Sequence, residues 1–331
     1  MADSTAPSVA DEILQRDILP TIFPGPPSAT PVVVLVAGQP GAGRGRVAAR
    51  IAATEGATAL SGDELRAFHP ITQSEHLLSG EQQQEVATAT AGWLRDCLRY
   101  ARTNGHSVVL EGAFTDAAVV RGTAAQFAAA GFGTRVAVVG ARRADSLLAV
   151  LSHYLRNVQA SNPATYTSRS AHDAGFGGTR ALVAAIEADP AADRLTVVDG
   201  RGDIVFDAAR HDAGAFAGAS AALAVAQGGR MSRLESTQWL SELHHVTAFA
   251  QSQRRLPRDV AETLVELHEI ALSEVIPQLH VPAGARFAEM TARTTSARLA
   301  ALRESLVGPV QPDAAAPVVV PAGPERGGIS R

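Results

Sequence analysis

The 331-residue chain contains no lysine: all 29 of its basic side chains are arginine. A GC-rich coding composition, echoed by the abundance of Ala and Gly, accounts for this. It also withholds the residue that phosphate-binding loops ordinarily use. Positive charge is not in excess either. A net charge of -4 provides no field of the kind that holds nucleic acid or an anionic membrane surface, so neither is expected as a partner. Cysteine is nearly missing. Cys97 alone cannot form an internal disulfide, and nothing has the clustered Cys/His spacing of a structural zinc site, which points to a reducing, cytoplasmic compartment. No apolar run approaches the roughly 18 residues of a membrane span. Residues 1–20 carry Asp3, Asp11, Glu12 and Asp17 and no apolar stretch of signal-peptide length, so export is not expected.

What is present is a 46% hydrophobic chain, long enough for one substantial domain and a smaller appendage. After an amphipathic leader over 1–30 (Ile13, Leu14, Ile18, Leu19, Ile22), the segment PGPPSATP breaks regular structure. Val32 to Val36 then reads as a buried parallel strand. Further strand-like runs occur at Ser107 to Leu110, Arg135 to Val139 and Leu195 to Val198, with helical stretches between them, including 80–102 and 117–130. Strands alternating with helices predict an α/β fold, a parallel sheet flanked by helices, over 31–213. The turn Asp199-Gly200-Arg201-Gly202-Asp203 and the run Ile204 to Phe206 close that domain as a hairpin.

An Ala/Gly-rich stretch, 214–230, reads as a linker. A C-terminal helical region follows over 231–307, where Val260, Leu264, Leu267, Ala271 and Val275 make one apolar stripe that stops before Pro277. Its role is open between structural support and a docking surface. The Pro- and Ala-rich tail 308–331 is expected to be disordered.

The first strand runs into Gly38-Gln39-Pro40-Gly41-Ala42-Gly43-Arg44-Gly45, followed by a helix expected over 46–54. In the pattern G-x-x-x-x-G-K-[ST], backbone N–H groups cradle phosphate, the lysine spans the outer phosphates and the hydroxyl binds magnesium. Here the glycine frame is intact, the lysine position is Arg44 and the hydroxyl position is Gly45. Arginine keeps the charge but not the shape of lysine, and glycine offers no metal ligand. An alternative takes the glycines as a variant dinucleotide loop with Asp63 as ribose acid, although the spacing departs from G-x-G-x-x-G.

Four segments together resemble the zeta toxin family: the loop GQPGAG, Ser61 to Pro70 (SGDELRAFHP), Val109 to Gly112 (VLEG) and Ala171 to Ala174 (AHDA). The resemblance spans roughly residues 11–206 and implies a P-loop NTPase-like kinase with a C-terminal helical appendage. Its reaction would be ATP- and Mg2+-dependent phosphorylation of UDP-N-acetylglucosamine on the sugar 3′-hydroxyl. It makes Asp63 the base that takes the acceptor proton, a role open against that of helix N-cap. Glu111 and Thr123 match sugar-nucleotide contacts, and Arg44 becomes a surrogate cation in the phosphate cradle. A small antitoxin is the implied protein partner.

The departures fall on the nucleotide side. Two arginines expected to neutralise the transferring phosphoryl group are replaced by His153, before Tyr154, and by Thr165, ahead of His172-Asp173, with Arg156 and Arg169 displaced by three or four positions. One such arginine is worth about 10³ to 10⁵ in rate in GTPases. With Gly45 leaving ATP and Mg2+ poorly served, three readings stand: a weak or altered kinase, a pseudokinase that binds a sugar nucleotide or a protein, and a small-molecule kinase with a different acceptor. His244-His245, Trp93, Trp239 and Cys97 read as structural or solvated residues.

Overall fold

The computed structural model describes residues 9–74, 80–112, 114–160, 162, 164–211, 214–253, 256–279 and 286–307; the expected disorder of 308–331 falls outside them. Val32–Gly38 forms β1, and its continuous run of Val, Leu and Ala suits a strand buried on both faces. The other strands are β2 (Thr58–Leu60), β3 (Val108–Glu111), β4 (Gly133–Gly140), β5 (Arg194–Asp199) and β6 (Ile204–Ala209), in the order β2-β3-β1-β4-β5-β6. All pairings are parallel except the β5–β6 hairpin, whose turn is held by Asp199 Oδ1 accepting from the N–H groups of Arg201, Gly202 and Asp203. This order overturns the dinucleotide-loop alternative. A Rossmann sheet places its second strand beside the first, whereas here β3 is the neighbour of β1.

The helices are α1 (Val9–Ile13) and α2 (Leu19–Ile22), joined by a π-helical turn, then α3 (Arg44–Glu55), α4 (Gly62–Arg66), α5 (Pro70–Ser74) and α6 (Gly80–Asn104). They continue with α7 (Ala117–Ala128), α8 (Arg143–Gln159), α9 (Arg169–Ala188) and α10 (Ala219–Gly228). The C-terminal group is α11 (Arg233–Ser252), α12 (Arg258–Ile270) and α13 (Arg286–Val307). No helix among the described residues is long and apolar enough to cross a membrane.

One sheet face, through Val33, Leu35, Val108, Val136 and Val138, packs on α6, α7, α9 and α10. Ile13, Leu14, Ile18 and Leu19 of the leader join that same core, so the leader is built into the domain rather than set apart from it. The opposite face, through Val34, Val36 and Val109, is covered by Val47, Ala48 and Ala52 of α3. A third cluster joins Leu147, Leu151 and Leu155 of α8 to Trp239, Leu243, Leu264 and Leu267 of the C-terminal helices. The stripe Val260, Leu264, Leu267, Ala271 and Val275 is buried throughout, and the helix passes through a π turn before ending around Pro277.

Two elements differ from the sequence reading. The expected linker 214–230 contains α10, whose Ala219 and Leu223 pack into the main core; alanine is the strongest helix former, and its small side chain lets the helix lie close on β5. β2 was not among the apolar runs, because three residues with one buried side chain leave no periodic signal.

Candidate nucleotide and acceptor site

The loop 38–45 leaves β1 at the centre of the sheet, at the carboxyl ends of the parallel strands, where open α/β sheets place their ligands. Its turns depend on glycine: Gly38, Gly41 and Gly43 have φ of 152°, 78° and 87°. A Cβ on Gly41 would lie 2.1 Å from the Ser146 carbonyl oxygen, so the loop is seated directly on the first turn of α8. Helix α3 begins at Arg44 rather than at 46, with Gly43 as its N-cap residue, which places the N–H groups of Arg44 and Gly45 in the first turn. Such groups have no intrahelical partner and favour an anion. Gln39 and Ala42 face inward. Gln39 is fully buried and its Nε2 donates to the Ala141 carbonyl at 2.6 Å, tying the loop to the end of β4. Pro40 rests against Gly175 of α9, where a Cβ would come within 2.5 Å of its ring.

The structure pairs Arg44 with Glu111, and Asp63 lies near enough to act on both electrostatically. Arg44 turns back into the fold: its Nη1 donates to the Gly38 carbonyl at 3.0 Å, and its Nε lies 3.4 Å from Glu111 Oε1. Burial lowers the Arg44 pKa, with Glu111 and then Asp63 opposing. Burial raises the Glu111 carboxyl, Arg44 lowers it, and Asp63 and Glu64 raise it further. Both shifts have one cause, a pair drawn partly out of water. The guanidinium does not give up its proton in proteins, so Arg44 keeps its charge.

Asp63 sits in the first turn of α4 with its side chain exposed, and it is not the N-cap. That role belongs to Ser61, whose hydroxyl accepts from Glu64 N–H at 3.2 Å. Thr123 is not brought into this group by any contact seen among the described residues; its hydroxyl donates to the Val119 carbonyl one turn back in α7 at 2.8 Å.

Gly45 lies against Glu111, and a Cβ there would be 3.2 Å from Glu111 Oε2. The place where a loop hydroxyl would project is therefore faced by a carboxylate already paired with Arg44. Among the described residues no cluster of three His, Cys, Asp or Glu side chains is arranged to hold a metal. The loop hydroxyl that would hold the magnesium the resemblance implies is absent, and the nearest carboxylate, Glu111, is taken up by Arg44, so the residues as they stand do not fit that ion.

The arginines nearest in sequence to the two missing ones are engaged elsewhere. Arg156 pairs with Glu242 of α11 at 2.5 Å, and Arg169 pairs with Glu266 of α12 at 3.2 Å. His153 is exposed beside Asn157, Thr165 is exposed, and Tyr154 stacks edge-on with Tyr166. His172 is fully buried, with Nε2 2.8 Å from Ser146 Oγ and Nδ1 3.0 Å from Asp173 Oδ1. Both carboxylate oxygens of Asp173 in turn accept from Arg143, one from Nε and one from Nη2. The sequence Ser–His–Asp has the connectivity of a hydrolytic triad, yet Ser146 and His172 are both fully buried, so no substrate reaches the hydroxyl. The network instead fastens α8, and the loop seated on it, to α9.

Sequence reasoning missed the arginines of the adjoining crevice. A cavity of about 660 Å³ opens from Gly41–Gly43 and is walled by Arg46 of α3, Arg142 after β4 and Arg201 after β5, and by the carboxylates of Asp145, Asp199, Glu235 and Glu242. Arg142 and Arg201 both bond Glu235, at 2.8 and 2.6 Å. The pair Arg142-Arg143 directly after a strand was a legible signal. Arg46 gave none, because one arginine on a helix is usually solvated.

The zeta toxin family model matches residues 17–211, from the leader to the end of the β5–β6 hairpin. No curated protein matches the chain. Among solved structures it is similar to one from the PezAT chromosomal toxin–antitoxin system of Streptococcus pneumoniae, at 20% identity and a TM-score of 0.61, covering 74% of this chain and 99% of that one. A structure of the AvrRxo1-ORF1:AvrRxo1-ORF2 complex with ATP aligns over 89% of this chain and 84% of its own, at 17% identity and a TM-score of 0.44. At 20% identity the likeness to the PezAT structure is one of fold. The matched segment holds the loop, Asp63 and Glu111 and exceeds half of the sequence, and by that measure the chain belongs to the zeta toxin family.

Proposed function

We propose that the protein is a slow phosphotransferase that moves the γ-phosphoryl group of ATP to a hydroxyl of a UDP-amino sugar, UDP-N-acetylglucosamine being the acceptor the family resemblance implies. The observation that carries this reading is the Arg44–Glu111 pair beside the glycine loop, with the exposed Asp63 close enough to act electrostatically on both. The loop N–H groups and the start of α3 hold the phosphates. Asp63, exposed at the edge of the loop, accepts the proton of the attacking hydroxyl while the new P–O bond forms and the β–γ bridge breaks. Glu111 is the group that meets the acceptor once Arg44 turns outward. A protein that shields the nucleotide crevice, as an antitoxin would, belongs to the same reading.

Turnover is slow because the transferring group lacks positioned cations at His153 and Thr165, and each absence costs on the order of 10³ in rate. The Arg44–Glu111 pair favours a second reading, binding without chemistry, since the resting site neutralises its own cation. The two part on one assay. Purified chain is incubated with ATP, Mg2+ and UDP-N-acetylglucosamine, and phosphorylated sugar nucleotide is followed by mass spectrometry beside Asp63→Asn. Product from the wild type that falls at least about 100-fold in the variant supports the transferase. Absence of product together with calorimetric binding of the sugar nucleotide supports the binding protein.

A further inference from the structure

We propose that the crevice binds a nucleoside polyphosphate without a divalent cation, and that the guanidinium of Arg46 supplies the charge a loop lysine and a metal would otherwise bring. The inference rests on the nucleotide-crevice reading above and concerns binding, not turnover.

Three observations lead to it. The hydroxyl position is Gly45, faced at 3.2 Å by Glu111, so the loop offers no hydroxyl for a metal. Arg44, at the lysine position, is turned inward, with its side chain 18% exposed and bonded to the Gly38 carbonyl and Glu111. Arg46, two residues further on, is placed differently. It is exposed, and its Nη2 lies 3.6 Å from where a Cβ on Gly43 would stand, directly against the phosphate nest.

The partners of the crevice arginines separate Arg46 from its neighbours. Arg142 and Arg201 are held by Glu235, whereas Arg46 Nη2 donates to the Gly200 carbonyl at 2.7 Å, a neutral acceptor after β5. A guanidinium bonded to a carbonyl keeps its whole charge for an incoming anion. Its planar fork can take two phosphate oxygens at once, and nothing but one surface hydrogen bond is exchanged. Arg46 also stands on the wall shared with a second cavity, of about 470 Å³, that runs along α3 past Arg50. The polyphosphate is therefore met by the nest on one side and by the Arg46 guanidinium on the other.

The test is isothermal titration of the full chain with ATP, once in EDTA and once in excess Mg2+. Wild type is expected to bind with affinities that agree within about threefold in the two buffers, and Arg46→Gln to bind at least about tenfold more weakly in both. Arg46→Lys, which keeps the charge, recovers part of the loss, and this separates charge from fold damage. Arg50→Gln, one turn along α3 and bonded to the Gly202 carbonyl at 2.9 Å, is expected to match the wild type. Binding that requires Mg2+, or an Arg46→Gln variant with wild-type affinity, overturns the inference and leaves the phosphotransferase reading in place. A wild type that binds ATP in neither buffer overturns both.

Discussion

Gly41 carries more of the site's geometry than any charged residue does. Its φ of 78° belongs to the left-handed region, and a Cβ there would drive into the Ser146 carbonyl at 2.1 Å, a backbone atom that cannot swing aside. Gly41→Ala is expected to lower stability by more than about 2 kcal/mol, measured by urea unfolding, from left-handed strain and overpacking together. Gly45 is the opposite case. Its neighbour is the end of a flexible glutamate, and what the absent side chain removes is chemistry rather than fit. Cys97 shows how little a lone functional group implies: it is fully buried, and burial first, with Asp96 adding, pushes its thiol up to about 12. The loop frame, Asp63 and Glu111 could be singled out in the sequence because each has a fixed place in a pattern. The inward turn of Arg44 could not, since it depends on where the end of β3 sets Glu111.

At the scale of elements, helix α8 is the part that connects the site to the rest of the chain. Its N-terminal turn seats the loop, His172 and Asp173 fasten it to α9, and its apolar face is buried by α11 and α12. The C-terminal helices thus complete a core to which the kinase-like domain contributes. Leu264, fully buried in that cluster, is expected to cost about 2–5 kcal/mol when changed to Ala, through lost burial and the cavity left behind. Ser232, whose hydroxyl and Glu235 partner form the capping box of α11, is expected to cost about 1 kcal/mol as Ala. Urea denaturation checks both, and a single shared transition in the Leu264→Ala variant would show that the helices and the sheet unfold together. The stripe that predicted α12 was plain in its spacing. Helix α10 was hidden by composition, because alanine and glycine together look like a linker until a core is available to dock against.

Over the whole molecule, the response to acid follows from groups on three different helices. His172 and His268 are buried, and burial holds both below the ordinary histidine range despite bonds to Asp173 and the Leu264 carbonyl. As pH falls below about 6.5 the unfolded chain takes up these protons before the folded one does, so stability is lost from there downward. Glu235 behaves in the same direction at lower pH. Burial raises its carboxyl, but bonds from Arg201, Ser232 and Arg142 outweigh that and keep it low, so its contribution disappears as pH drops through the carboxylate range. Thermal melts are expected to be flat between about pH 7 and 8, to fall in two stages below that, with His172→Gln/His268→Gln flattening the first stage, and to decline again in alkali, where the Cys97 thiol ionises in the unfolded chain first. The alternating strands and helices, the glycine loop, the family and the missing hydroxyl at Gly45 were all determined by the sequence alone, because each is a matter of residue order and local spacing. Only the tertiary structure decided which arginine of the crevice bonds a neutral carbonyl rather than a carboxylate. Arg44, Arg46, Arg142 and Arg201 carry the same charge, and what separates them is whether the fold hands each one a carboxylate or a neutral carbonyl.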